Sequence, residues 1–128
     1  MRLLLDTHAF IWATAWPQRL SPHVRNLLQN LRHTLFLSAA SVWEISLKHA
    51  LKKRDFKFDE DAVTAGVDSL KCEVLPIDFR HVLALYRLPQ LHRDPFDRML
   101  ISQAVADDLA LITADQRLRD YKLVQTIW

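Results

Sequence analysis

The residues with the most chemical potential stand in the run His92-Arg93-Asp94-Pro95-Phe96-Asp97-Arg98-Met99-Leu100-Ile101. Asp94 before Pro95 reads as a helix N-cap with proline at the first helical position. Phe96, Leu100 and Ala104 recur one turn apart, and Ile101 and Val105 widen that apolar stripe. Acids in the first turn of a buried helix either cap their own helix or are offered to a metal. Three more acids adjoin other apolar runs. Asp6 follows Leu3-Leu4-Leu5, Glu44 lies in the first two turns after Leu35-Phe36-Leu37, and Asp115 stands just beyond Leu109-Ala110-Leu111-Ile112-Thr113. Carboxylates held close together repel one another, so they take up protons or a counter-ion. An all-oxygen set favours Mg²⁺ or Mn²⁺, an ion that orients water, lowers its pKa and offsets charge on a phosphoryl group during displacement.

The elements that must position these acids follow from apolar patterning. Leu3-Leu4-Leu5 is apolar on both faces, as a buried parallel strand requires, and places Asp6 at its carboxyl end. Thr7 is expected to cap a helix running through Trp12 towards Trp16-Pro17. Ser21-Pro22 opens a second helix with Val24, Leu27, Leu28 and Leu31 inward. Leu35-Phe36-Leu37 is a second strand, and Ser38 caps a helix from Ala39 to about Lys52. There Val42, Ile45 and His49, with Trp43, Leu47 and Leu51, give apolar faces, and Lys52-Lys53-Arg54 suits the helix end. Asp59 caps the next helix, with Phe58 stapled to Val63. Val74-Leu75-Pro76-Ile77 is a short extended stretch, and Asp78 caps a helix that ends near Leu88-Pro89. Residues 109–113 form the clearest strand, Asp115 opens a helical turn, and residues 123–127 suit a terminal strand. Strands alternating with helices predict an α/β sandwich around a mostly parallel sheet, with functional groups at the carboxyl ends of the strands. Strand order is not legible from this pattern.

Each acid also has a plainer reading. Asp115 could cap a turn, Asp94 and Asp97 could form a reciprocal cap, and Glu44 could pair with Lys48 one turn later. Asp6 resists such a reading, because an unpaired carboxylate ending a central strand is costly.

Composition bounds the answer. The 128 residues suffice for one domain with a real core. Half of them are hydrophobic and a quarter charged, which fits a globular protein. The formal charge of +2 says nothing of nucleic acid unless acids gather in a pocket with bases around it. Cys72 is the single cysteine, so an internal disulfide and a four-cysteine zinc site are excluded, and an inert thiol is expected. Gly66 is the single glycine, which excludes every glycine-rich phosphate loop; in its helix it is expected to act as a slight weakening. No run approaches the ~20 apolar residues of a membrane span, and no secretory leader is visible, so a cytoplasmic protein is expected.

Four stretches together resemble the PIN-domain ribonucleases, and specifically the VapC toxins of bacterial toxin–antitoxin pairs. They are Leu4-Leu5-Asp6-Thr7-His8, Ser38-Ala39-Ala40-Ser41-Val42-Trp43-Glu44-Ile45, His92-Arg93-Asp94-Pro95-Phe96-Asp97-Arg98-Met99-Leu100-Ile101 and Leu111-Ile112-Thr113-Ala114-Asp115. The resemblance covers nearly the whole chain. It implies a three-layer α/β/α sandwich of strand order 3-2-1-4-5 over a single domain, residues 1–128. It implies a metal-binding, catalytic quartet of Asp6, Glu44, Asp97 and Asp115, with Mg²⁺ or Mn²⁺ as cofactor. Asp94 enters as a fifth acid or as the helix cap, and Thr113, Thr7 and Ser41 as residues supporting the ligands. The resemblance further implies RNA as substrate, a homodimer or a higher assembly, and inhibition by a VapB-like antitoxin whose tail occupies the groove.

Phosphate contacts require basic groups near the acids. Arg98, Arg93 and Lys48 are the first candidates, followed by Lys52, Lys53, Arg117 and Arg119. His8 and His92 adjoin the acids and could touch substrate. Trp12, Trp16 and Trp43 could stack on bases, although packing is expected because their neighbours are apolar. Two rival readings stay open: a phosphatase or phosphotransfer domain using Asp6, and a non-catalytic interaction module. The first lacks a second aspartate two residues after Asp6, where His8 stands.

Overall fold

The computed structural model describes residues 1–51 and 57–128. Five parallel strands form its centre: β1 (Arg2–Leu5), β2 (Thr34–Ser38), β3 (Glu73–Leu75), β4 (Ala110–Ile112) and β5 (Thr126–Ile127). Their order is β3-β2-β1-β4-β5, as the resemblance implied. Among the described residues seven α-helices join them: α1 (Thr7–Ala15), α2 (Pro22–Gln29), α3 (Ala39–Ala50), α4 (Glu60–Leu70), α5 (Phe79–Ala84), α6 (Pro95–Ala106) and α7 (Gln116–Arg119). The expected end of α3 at Lys52 lies outside the described residues. No helix among them is long and apolar enough to cross a membrane.

β1 is central because Leu3, Leu4 and Leu5 have apolar partners on both sides and are wholly buried. Strand periodicity divides them between two cores. Leu3 and Leu5 face one layer with Leu35, Leu37, Ala110 and Ile112, against Phe10 of α1, Val24 of α2, Ile45 of α3 and Val63 of α4. Leu4 faces the other with Phe36 and Leu111, against Leu100 and Ile101 of α6 and Leu118 of α7. Each of the three leucines contributes roughly 1.5–3 kcal/mol through burial. The result is a three-layer α/β/α sandwich.

All seven helices start on a serine or aspartate whose side chain accepts a first-turn N–H: Asp6, Ser21, Ser38, Asp59, Asp78, Asp94 and Asp115. Three of these caps are acids singled out above, so capping and a second role coexist in one carboxyl group. Asp6, not Thr7, caps α1, its Oδ1 accepting from Ala9 N at 2.7 Å. Thr7 is thereby the first helical residue, and its hydroxyl is free to point elsewhere. Phe58 and Val63 are both buried at the start of α4, as a staple requires. Leu31, expected inward, lies beyond the end of α2 and is 82% exposed. Gly66 is more than a weak helix residue. A Cβ there would stand 2.7 Å from Thr14 Cγ2 and 2.8 Å from Phe10 Cζ, so α4 meets α1 so closely that any larger residue would displace those side chains.

Candidate metal centre

The carboxyl ends of β1 and β4 and the starts of α3 and α6 meet at one edge of the sheet. Asp6 leaves β1 with its backbone N–H bonded to Ile112 O of β4 at 3.0 Å, which ties the two strand exits together. Thr113, buried just after β4, hydrogen-bonds the Asp6 carboxyl, and its Oγ1 also accepts from Asp115 N at 3.0 Å. Across the site Thr7 Oγ1 lies 2.6 Å from Glu44 Oε1 and 3.0 Å from Ser41 Oγ. These three residues are buried, so Glu44 is held from the β1 side although it belongs to α3. Lys48, one turn on, reaches the other Glu44 oxygen at 3.3 Å.

Asp97 enters from the first turn of α6. Its expected reciprocal bond with Asp94 is half present. Asp94 Oδ1 accepts from Phe96 N and Asp97 N at 2.9 and 3.1 Å, but the Asp97 side chain turns to His92 Nε2 at 2.7 Å. One ligand atom each from His92, Asp97 and Asp115 lies within 4.8 Å of the others, a cluster able to coordinate a divalent ion. Arg117 sits over Asp115, donating to Oδ1 from its backbone N and Nε at 2.9 and 3.2 Å and to Oδ2 from Nη2 at 2.9 Å.

The electrostatics identify the crowded members. Burial pushes the Asp6 carboxyl up to about 6; the Thr113 and Ala9 hydrogen bonds oppose this, and the charges of Asp115 and Glu44 add to it. Burial likewise pushes Asp97 up to about 6, opposed by the His92 hydrogen bond and reinforced by Asp94 and Glu44. Asp115 is held below the ordinary range, because Arg117 hydrogen-bonds it. Asp6 and Asp97 therefore bear charge reluctantly, and a cation among these oxygens relieves both. A donor set rich in carboxylates, with the His92 imidazole among them, can hold a divalent ion such as Mg²⁺ or Mn²⁺.

The structure thus brings Asp6 within electrostatic reach of Glu44 and Asp115, and Asp97 within reach of Glu44 and Asp94. Thr7, Ser41 and Thr113 contact the acids or each other as described. The basic candidates fare unequally. Arg98 adjoins Asp97 in sequence, yet its guanidinium donates to Pro89 O, Tyr121 Oη and Leu85 O, buttressing the segment before α6. Arg93 is exposed, Lys48 is engaged with Glu44, and Lys52 and Lys53 lie outside the described residues. His92 is the residue underrated from sequence. Only its place two residues before Asp94 hinted at the contact, since no helical period governs a loop.

A fold of this kind with acids at these strand exits defines a class of protein, and comparison with known families agrees. The PIN-domain family model matches residues 3–123. The chain belongs to the PIN-domain family. No curated protein matches it in sequence. A solved structure of VapBC2 from Rickettsia felis, bound to a promoter DNA fragment, contains a chain of similar fold. The TM-score is 0.72 at 15% identity, covering 99% of this chain and 98% of that one. DNA-bound VapBC from Salmonella typhimurium gives 0.72 at 19% identity, with coverage of 99% and 97%. FitAcB from Neisseria gonorrhoeae gives 0.67 at 21%, with coverage of 98% and 96%.

Proposed function

We propose that the protein is a divalent-metal-dependent endoribonuclease, the toxin of a toxin–antitoxin pair. What supports the reading is a PIN fold in which Asp6 lies near Glu44 and Asp115 and Asp97 near Glu44, with buried Asp6 and half-buried Asp97 both pushed up to about 6. These four would hold Mg²⁺ or Mn²⁺, which when bound would supply an activated water and offset charge developing on the phosphate. The protein's own groups do the positioning. Thr113 and Ala9 N orient the Asp6 carboxylate, Thr7 fixes Glu44, and His92 fixes Asp97. Asp94 serves mainly as the α6 cap. Lys48, Arg93 and Arg117 supply positive charge around the acids, and phosphate contacts of this kind position RNA without reading its sequence. Without a cation the acids repel the phosphate, so metal dependence is central.

The similar structures carry the names VapBC2, VapBC and FitAcB, and with those names as support the partner is a VapB-like antitoxin; a homodimer in the cytoplasm is the assembly this reading expects. The deciding test treats RNA with purified protein in Mn²⁺, in chelator, and with Asp6→Asn. Asparagine preserves the cap. Cleavage by wild type in Mn²⁺ alone is the expected result; equal cleavage by folded Asp6→Asn with intact metal response overturns the assignment.

A further inference from the structure

His8 and Trp12 lie one turn apart on α1, the helix that starts at Asp6. With Asp6, Ala114 and Asp115 they line a single open cavity of about 210 Å³. An imidazole and an indole therefore share one hollow with two of the acids. The two rings are 5.8 Å apart and tilted by 45°. Trp12 is not loose: the Trp128 ring meets it edge-on at 5.7 Å, and its inner part packs on the core that holds Phe10 and Ile11. The exposed Arg19 guanidinium stands over the Trp12 ring at 5.9 Å and over the Trp16 ring at 5.3 Å. Carboxylates and flat rings thus share the cavity, and a cation lies on one of those rings. Packing explains why Trp12 is anchored. It does not explain why its ring and His8 open onto the acid cavity instead of closing it.

Resting on the ribonuclease reading above, we propose that His8 and Trp12 form a nucleobase subsite beside the carboxylates. One base next to the scissile phosphate stacks there, and Arg19 receives the following phosphate. Single-stranded RNA offers this pattern of backbone charge and unstacked bases, and base–aromatic stacking is worth about 1–3 kcal/mol per base, or about 5- to 150-fold in affinity. Such a subsite sets the register of the cut without hydrogen-bond readout of sequence.

The test uses an oligoribonucleotide spanning a cleavage site mapped with the wild-type protein, and copies of it with one abasic nucleotide at each position around the cut. Dissociation constants are read by anisotropy with Ca²⁺, and kcat/KM with Mn²⁺. In wild type, one abasic position adjacent to the cut is expected to weaken binding at least fivefold. In Trp12→Leu that same copy costs less than twofold, and Trp12→Phe restores most of the difference. His8→Ala, an exposed change that leaves folding intact, gives an intermediate loss. A position-specific penalty that is unchanged in both Trp12→Leu and His8→Ala overturns the subsite and leaves the nuclease reading standing, as does the absence of any such penalty in wild type. If wild type neither binds nor cleaves any RNA, the nuclease reading fails and takes the subsite with it.

Discussion

Among the described residues, two histidine–aspartate pairs have nearly equal geometry, and they behave oppositely. His92 Nε2 lies 2.7 Å from Asp97 Oδ2 at the acid cluster; His81 Nε2 lies 2.8 Å from Asp107 Oδ2 where α5 packs on the end of α6. The two aspartate side chains are equally covered, at 16% and 17% exposure. Burial is the largest influence on each carboxyl and pushes both up. At Asp107, hydrogen bonds from His81 and from Arg80 Nη2 outweigh it, and the carboxyl falls below the ordinary range. At Asp97 a single histidine faces two more anions, Asp94 and Glu44, and the carboxyl rises to about 6. One pair is electrostatically complete and serves the fold. The other is short of positive charge, which is the condition a metal or a phosphate-bound cation remedies.

The comparison is broken most directly by removing each aspartate. Asp97→Asn is expected to lower kcat/KM on a metal-dependent RNA substrate by more than about a hundredfold, beyond the 10–100-fold typical of groups that only support a ligand. Asp94→Asn keeps the α6 cap and should cost less; the reverse ranking, measured on the same RNA, makes Asp94 the principal ligand. Asp107→Ala should leave turnover per folded molecule unchanged. It strands the buried His81 ring and is expected to destabilise by about 1–3 kcal/mol, read as a lowered Tm. Loss of activity without loss of Tm in that variant would erase the distinction between the pairs.

The pH dependence of stability sharpens the same contrast. Asp6, raised from 3.8 to about 6, holds a proton in the folded state that the unfolded chain has released. Its contribution is fully present below about pH 4 and is lost as pH rises through about 6. At one pKa unit per 1.36 kcal/mol the loss approaches about 3 kcal/mol, and Asp97 acts in the same direction. Asp107 and Asp78, both lowered, do the opposite: their contribution is present above the unfolded carboxylate range and lost as pH falls through their folded values. In chelator, therefore, Asp6→Asn should match wild type near pH 4 and exceed it in Tm at pH 7.5. Saturating Mn²⁺ should reverse that order. A Tm difference independent of pH contradicts the assigned burial of charge at Asp6.

Much of this arrangement is legible in the chain itself, for identifiable reasons. Leu3-Leu4-Leu5 suits a strand buried on both faces, and Ser or Asp before an apolar period marks the start of each described α-helix after the first. Strand order is not local information and came from the family motifs. Asp6 and Thr7 are both capping types, so one residue of register decided which of them capped and which held Glu44. Periodicity shows that Trp43, Leu47 and Leu51 lie on one helix face, yet not whether anything covers it; all three are exposed, at 58%, 43% and 71%. Arg98 follows Asp97 in sequence, but a helix turns about 100° per residue, so the neighbour points away from the acids. His92 belongs to a loop, where no period places a side chain.

The smallest expected effect isolates what separates the two pairs. The Arg80 side chain is 62% exposed, so its bridges to Asp107 and Asp78 contribute little to stability, and Arg80→Ala should cost no more than about 1 kcal/mol. His81 and its 2.8 Å contact remain, as does the bond from Asp78 N to His81 Nδ1 at 3.0 Å. Followed by carboxyl-carbon NMR, the Asp107 titration is nevertheless expected to move up, towards that of Asp97. If it stays where it is, the histidine alone suffices at Asp107, and burial together with the like charges of Asp94 and Glu44 accounts for the rise at Asp97.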